Sequence, residues 1–456
     1  MSGIEIPGEL LSALEKRDDF NEDDFVRIHH SGSTITSVRL NPFKFSAEFC
    51  DNEKVSWCEN AFYLKERPSF ILDPLFHAGC YYVQEASSMF LEYALRSCLD
   101  LNKRLNILDL CAAPGGKSTL INSLLTADSL LVSNEVIRTR VPVLAENLSK
   151  WGSANTVVTN NDPKDFIRTP GFFDVLVVDA PCSGSGLFRK QPEAVKEWSI
   201  AAVETCSLRQ RRILSDALPA LKEGGLLVYS TCSYSPEENE EICDWLSNEF
   251  DLESIRLEYQ AEWGIRETTS EKQKAYGYRF YPDKVKGEGF FIACFRKKNE
   301  EENPRYKKNN LLKPARSEYE LIRPWVDGIN EKLLFKNGDD FYLMHSGHEE
   351  ELNFLSSQLY IKKSGVSLGI LKGKDFVPDH QFALSNSISK EINRVEVDLQ
   401  QALSFLKKEE VKLSGEPQGF ALLTFRGFGL GWIKILQNRV NNYLPKEWRI
   451  LKNLDD

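Results

Sequence analysis

The sequence predicts an α/β protein built on a mostly parallel sheet with helices on both faces, preceded by an N-terminal extension and followed by a small β-rich domain. Three observations predict it. Between residues 104 and 298, short apolar runs alternate with amphipathic helical segments: LNILDL, LLVSNE, NTVVTN, FDVLVVDA and GGLLVYSTC, closing with FFIACFRK. Uninterrupted Val, Ile and Leu runs are what strands buried on both faces require. At 456 residues the chain exceeds one compact core. Finally, RKKNEEENPRYKKNNLLKPAR at 296–316 is nearly free of apolar residues and rich in Lys and Arg, which marks a linker.

Taken in order, residues 1–95 form an extension with a short amphipathic start, a strand at 35–40 and a helical end within HAGCYYVQEASSMFLEYAL. Residues 96–298 carry the sheet. Residues 299–385 hold the linker and an intermediate domain, and 386–456 a terminal domain whose Gly-punctuated strands (GFALLTFRGFGLGWIKI) follow a helix at 397–408. No internal repeat is evident.

Hydrophobic residues at 42% with 27% charged exclude wholesale disorder. The net charge of −10 excludes a protein that coats nucleic acid by bulk charge, so any such binding must come from local patches. The start, MSGIEIPGELLSALEKRDDF, lacks an export signal, and no run of apolar residues is long enough for a membrane span. A soluble cytoplasmic protein is expected, its ten scattered cysteines reduced and without a metal-binding pattern.

ILDLCAAPGGKSTLINSLL reads as a strand, a small-residue turn over Cys111, Ala112, Ala113, Pro114, Gly115 and Gly116, and a helix starting near Lys117. Small residues admit a ligand close to the backbone, and the free N–H groups of a helix start favour a carboxylate or phosphate. The next strands end at Glu135, near Asp162 and at Asp179. Acids at strand C-termini line the crevice where open α/β sheets bind ligands: Glu135 suits ribose hydroxyls and Asp162 an adenine amine. The turn has neither the G-x-G-x-x-G of dinucleotide sites nor a phosphate-loop ending. S-adenosylmethionine is therefore the natural ligand, although each acid could instead be a helix cap or a solvated loop residue.

DAPCSGSG and STCSYSPEENE place Cys182 and Cys232 just beyond neighbouring strands, on the same rim as the turn. A helix opened by Pro236, Glu237 and Glu238 would lower the pKa of Cys232. Pyrimidine C5 is a poor nucleophile until a thiolate adds to C6; after methyl transfer the C5 proton must leave so that the thiol can be eliminated, which a second thiol can assist. Asp179 could hold the exocyclic amine and N3 of cytosine.

CAAPGGKS, DAPCSGSGLFRK, STCSYSPEENE and RFYPDKVKGEGFFIACF resemble the motifs of the RNA (cytosine-5)-methyltransferases, the NOL1/NOP2/Sun family. HAGCYYVQEASSM resembles the segment before that family's catalytic domain, while GVSLGILKGKDFVPDHQFALS and GLGWIKILQNRVNNYLPKEWRI resemble the tail of its bacterial RsmF (YebU-like) subfamily, which modifies small-subunit ribosomal RNA. The resemblance implies a Rossmann-like class I S-adenosylmethionine-dependent methyltransferase fold with a PUA-like RNA-binding terminal domain. It implies that Cys111 to Lys117, Glu135, Asp162 and Asp179 contact the cofactor or the target base, that Lys117 also reaches the cytosine, that Cys232 is the nucleophile and that Cys182 is the releasing thiol. Ser185 and Gln191 depart from the subfamily, which often carries Glu and Asp there.

Arg138, Arg140, Phe188, Arg189, Lys190, Arg209, Arg211, Arg212 and the linker lysines are candidates for an RNA path, as are Lys434, Arg439, Lys446 and Arg449 near Trp432 and Trp448. His345, His348 and Glu349 lack a third ligand for zinc. The expected partner is 16S ribosomal RNA or the small subunit, bound by a monomer with no metal and no membrane association. A transfer-RNA methyltransferase of the same family and a non-catalytic ribosome-assembly factor are the alternatives.

Overall fold

The structure is a computed structural model that describes residues 5–16, 20–32, 34–298, 311–413 and 415–452. The N-terminal extension contains the helices Gly8–Leu14 and Glu22–His30 and the strands β1 (Thr36–Leu40), β2 (Glu53–Lys54), β3 (Ala61–Leu64) and β4 (Tyr81–Val83). These strands form an antiparallel sheet in the order β2-β3-β1-β4.

The central sheet begins with β5 (Asn106–Asp109), β6 (Leu130–Asn134), β7 (Thr156–Thr159), β8 (Phe173–Asp179) and β9 (Leu221–Thr231). These five run parallel in the order β9-β8-β5-β6-β7. Their apolar side chains are buried on both faces, with Leu108, Val132, Leu176 and Tyr229 in one cluster and Ile107, Leu131, Val175 and Val228 in another. Chain order reverses between β5 and β8, and this switch point opens a crevice at the strand C-termini.

The strands β10 (Leu252–Ile255), β11 (Arg266–Thr269), β12 (Tyr276–Phe280) and β13 (Phe290–Lys297) extend the sheet antiparallel beyond β9. The sheet is therefore mixed rather than mostly parallel, with the parallel strands at its centre.

Most of the expected linker, residues 299–310, lies outside the described residues. Beyond it, β14 (Lys332–Asn337), β15 (Asp340–His345), β17 (Val366–Lys372) and β18 (Asp375–Pro378) form a small antiparallel sheet. Between them, β16 (Ile361–Ser364) leaves that sheet and pairs with β7, completing the far edge of the central sheet. Leu333, Phe335, Met344, Leu352 and Leu355 join the same apolar cluster as the central strands. A cut at 298/299 therefore passes through one sheet and one core.

The terminal sheet holds β19 (Arg394–Glu396), β20 (Gly419–Phe425), β21 (Phe428–Ile435) and β22 (Val440–Asn442), backed by the helix Leu399–Lys407. Its Val395, Phe405, Leu423 and Ile433 share a core with Val38, Leu40, Leu75 and Tyr81 of the N-terminal sheet and the turn before β4. The two ends of the chain meet there. No helix among the described residues is long and apolar enough to cross a membrane.

Candidate active site

The small-residue turn follows β5. Gly115 caps the helix Gly116–Leu124 at a φ of 115° and offers no side-chain acceptor to the first-turn amides. A methyl group on Gly116 would lie 3.3 Å from the Tyr82 ring, so this position is tight as well as open to an anion. Arg140 and Asn147 donate to the carbonyls of Ala113 and Pro114, at 2.6 and 2.8 Å. A cavity of about 200 Å³ lies against the turn, lined by Cys111 to Pro114, Gly116, Lys117, Asp179 and, from the N-terminal sheet and the segment after it, Tyr82 to Glu85 and Ser88. The turn's own sequence carries no sign of this second wall, because the wall comes from another domain.

Glu135 follows β6 and is buried; Oε1 accepts the Ile137 amide at 2.8 Å and Oε2 faces the Arg140 guanidinium at 3.3 Å. Asp162 sits three residues past β7 as the N-cap of the 3-10 turn Pro163–Arg168, and it pairs with Arg212 at 3.2 Å. The helix-cap alternative is thus realised. Asp109 is fully buried. Its Oδ2 accepts the Ser118 hydroxyl at 2.6 Å, its Oδ1 has no partner among the described residues, and burial raises its pKa to about 7. The first-turn amides and the Glu135 and Asp162 carboxylates are the donor and acceptor set that an amino-acid carboxylate, a ribose and an adenine amine require, so these residues fit S-adenosylmethionine.

Lys117 Nζ lies 2.7 Å from Asp179 Oδ2, and Ser230 donates to Asp179 Oδ1 at 2.8 Å. Burial works against the Lys117 charge, but Asp179 and Asp109 outweigh it and raise its pKa. The pair lies beside the two cysteines. The Cys182 and Cys232 sulfurs are 3.2 Å apart. The hydrogen bond to Cys232, then burial, pushes the Cys182 thiol well above its ordinary value.

The loops carrying these thiols approach closely. Gly186 N donates to Cys232 O at 2.8 Å, and a Cβ at Gly186 would lie only 2.5 Å from Gly289 O, so a side chain is excluded there. Ser185, the departure from the subfamily, is buried and accepts the Tyr234 amide at 2.8 Å. The expected helix start behind Cys232 is corrected: Pro236–Glu238 is a separate 3-10 turn and the α-helix begins at Glu240.

Residues not anticipated from sequence fix these loops. Arg279, fully buried, pairs with Glu240 and donates to Tyr234 O at 2.7 Å. Glu238, Gln210, Ser183 and Ser233 form a second network beneath the thiols. The Ser that follows each Cys is the one signal of it in the sequence.

Part of the expected RNA path is also corrected. Phe188 is fully buried among Leu10, Phe25 and Tyr234, so it cannot stack on a base. Arg189 is buried and bound to Gly287 O and Glu288. Lys297 donates to the carbonyls of Leu218 and Leu221, and Trp432 is core. Arg138, Lys190, Arg209, Arg439, Lys446 and Arg449 remain exposed. Among the described residues no group of three or more His, Cys, Asp or Glu could hold a metal.

A doubly wound sheet with a small-residue turn after its first parallel strand and acids at the following strand ends defines a Rossmann-like methyltransferase fold. A solved chain described as a methyltransferase homolog protein from Pyrococcus horikoshii shares this fold, with a TM-score of 0.51 and 29% identity, covering 64% of this chain and all of that one. Residues 96–296 match the family described as 16S rRNA methyltransferase RsmB/F, residues 6–86 the N-terminal domain of 16S rRNA methyltransferase RsmF and residues 392–450 the methyltransferase RsmF PUA domain. The ribosomal RNA small subunit methyltransferase F of Vibrio cholerae is 32% identical over 448 residues, 92% of each chain. That of Shewanella loihica is 30% identical over 463 residues, covering 95% of this chain and 93% of its own. The chain belongs to the RsmF family of 16S rRNA methyltransferases.

Proposed function

We propose that this protein transfers a methyl group from S-adenosylmethionine to C5 of a cytosine in 16S ribosomal RNA, through a covalent bond between Cys232 and C6. The observation that carries the reading is the pair of thiols 3.2 Å apart at the ends of β8 and β9, beside the Lys117–Asp179 pair. The names of its relatives support the small-subunit substrate over transfer RNA, and a non-catalytic binder has no use for such a pair of thiols. The same reading has the protein act as a cytoplasmic monomer, with residues 96–298 supplying the catalytic residues and 386–456 an RNA-binding surface.

When bound, S-adenosylmethionine supplies an electrophilic methyl group. The turn Cys111 to Lys117 receives its amino-acid end, Glu135 its ribose and Asp162 its adenine. Asp179 accepts from the cytosine amine and Lys117 donates to the ring, so the base is held as electrons move into it. The Cys232 thiolate adds to C6, and C5 becomes nucleophilic enough to take the methyl group. The C5 proton then passes by way of Cys182 to solvent; the electron pair of the C–H bond restores the C5–C6 double bond and expels Cys232. Sequencing of 5-methylcytosine in 16S RNA from cells with and without the gene tests the assignment; an unchanged pattern rejects it.

A further inference from the structure

We infer that Glu238 is the positioning residue that sets the spacing of the two sulfurs, by tying the segment after Cys232 to the residue next to Cys182. The inference rests on the two-thiol reading of the site and adds the device that holds the thiols together. Glu238 is fully buried, and among the described residues no cation pairs with its carboxylate. Its Oε1 accepts Ser183 N at 2.8 Å and Gln210 Nε2 at 3.2 Å, and its Oε2 accepts the hydroxyls of Ser183 and Ser233, both at 2.5 Å. Four neutral donors therefore occupy the four acceptor positions of one carboxylate.

Each bond has a place in the geometry. Ser183 follows Cys182 directly, and both its amide and its hydroxyl are bound. Ser233 follows Cys232, and its hydroxyl is held while also accepting the Ser235 amide at 3.0 Å, which closes the turn between the nucleophile and Glu238. Gln210 adds the helix Ile200–Ala217 as a fixed support, since it also donates to Pro181 O at 3.1 Å and accepts from Tyr229 Oη at 3.0 Å. Other bonds between the two loops fall further along, at Ser185 and Gly186. The Ser183 and Ser233 hydroxyls also lie 3.3 Å apart, but each already donates to Glu238, so the carboxylate is what draws them together.

The arrangement asks for acceptors more than for charge. A glutamine could offer its carbonyl to Ser183 N and Gln210, and its amide to the two hydroxyls, which can rotate to accept. The charge acts separately on Cys182: after the bond to Cys232 and burial, the Glu238 carboxylate is among the causes that favour its protonated form.

Sulfur spacing can be read without RNA or cofactor, by the rate at which diamide, a two-electron thiol oxidant, joins Cys182 to Cys232 as a disulfide, followed by peptide mass analysis of the full-length protein. Glu238→Ala should slow this at least tenfold and reduce kcat at least a hundredfold, with S-adenosylmethionine affinity changed less than twofold. Glu238→Gln should keep the oxidation rate within about threefold and kcat within about tenfold, and should move the pH midpoint of Cys182 alkylation downward. Should Glu238→Ala not fold, Ser183→Ala, which removes one of the two bonds beside Cys182, should still slow oxidation about threefold. Wild-type oxidation rates in Glu238→Ala or Ser183→Ala, or equal losses in the Gln and Ala variants, would overturn the inference. Full methylation by Cys232→Ala would instead reject the catalytic reading and leave the spacing result standing.

Discussion

On the cysteine side of the rim, the Glu238 carboxylate is locked by hydrogen bonds of 2.5–3.2 Å donated by the neutral groups of Ser183, Ser233 and Gln210. On the side of the Cys111–Lys117 turn, Glu135 faces Arg140 and Asp162 faces Arg212. Arg140 and Arg212 are about half exposed, so their pairs are screened by solvent and can yield to a ligand's hydroxyl or amine. On the proposed reading, the groups that would hold one geometry through a bond-forming step are fixed by a buried network, whereas the two acids that would meet the cofactor are paired with half-exposed cations.

The contrast is broken most directly at the nucleophile. Cys232→Ala should lower methyl transfer by at least about a thousandfold while S-adenosylmethionine affinity stays within twofold, since on the proposed mechanism the thiol attacks the base and not the cofactor. A tritiated-methyl assay and titration calorimetry separate the two quantities, and retained activity would remove Cys232 from the mechanism. Cys182→Ala should methylate once and then stall, leaving protein joined to RNA through Cys232. A denaturing gel without a slow-migrating adduct would count against the release role.

On the charged side, losses should appear in cofactor binding. Glu135→Ala should weaken S-adenosylmethionine about tenfold, the scale of one missing hydrogen bond to a charged group, and leave kcat at saturating cofactor nearly unchanged. A fall in kcat at unchanged affinity would show that Glu135 acts on the base instead. Smallest of all, Arg439→Ala or Lys446→Ala should lower the slope of log RNA affinity against log salt by about 0.7–0.9 for each phosphate no longer neutralised. An unchanged slope would make those residues mere surface.

The parallel strands and the turn after β5 are legible in the sequence because periodicity and small residues are local. The two thiols are legible as strand-end cysteines. What is not legible depends on long-range approach. Phe188 and Arg189 read as an RNA-facing pair, but the N-terminal helices close over the former and Glu288 takes the latter. Asp162 reads as a ligand acceptor, while its pairing with Arg212 comes from a helix fifty residues away. β16 is hydrophilic in part (IKKS) and gives little strand signal, yet it has a defined partner in β7.

That last pairing bears on how the molecule is made. β7 ends at Thr159, and the strand that covers its free edge begins at Ile361, so some two hundred residues must be synthesised in between. At elongation rates of about 5–20 residues per second that is a delay of roughly 10–40 s, during which the edge of a nascent sheet is open to other chains. Chaperone demand during translation should therefore be governed by a four-residue segment far from the catalytic motifs, and a stop codon placed just before it should produce aggregate rather than a truncated enzyme.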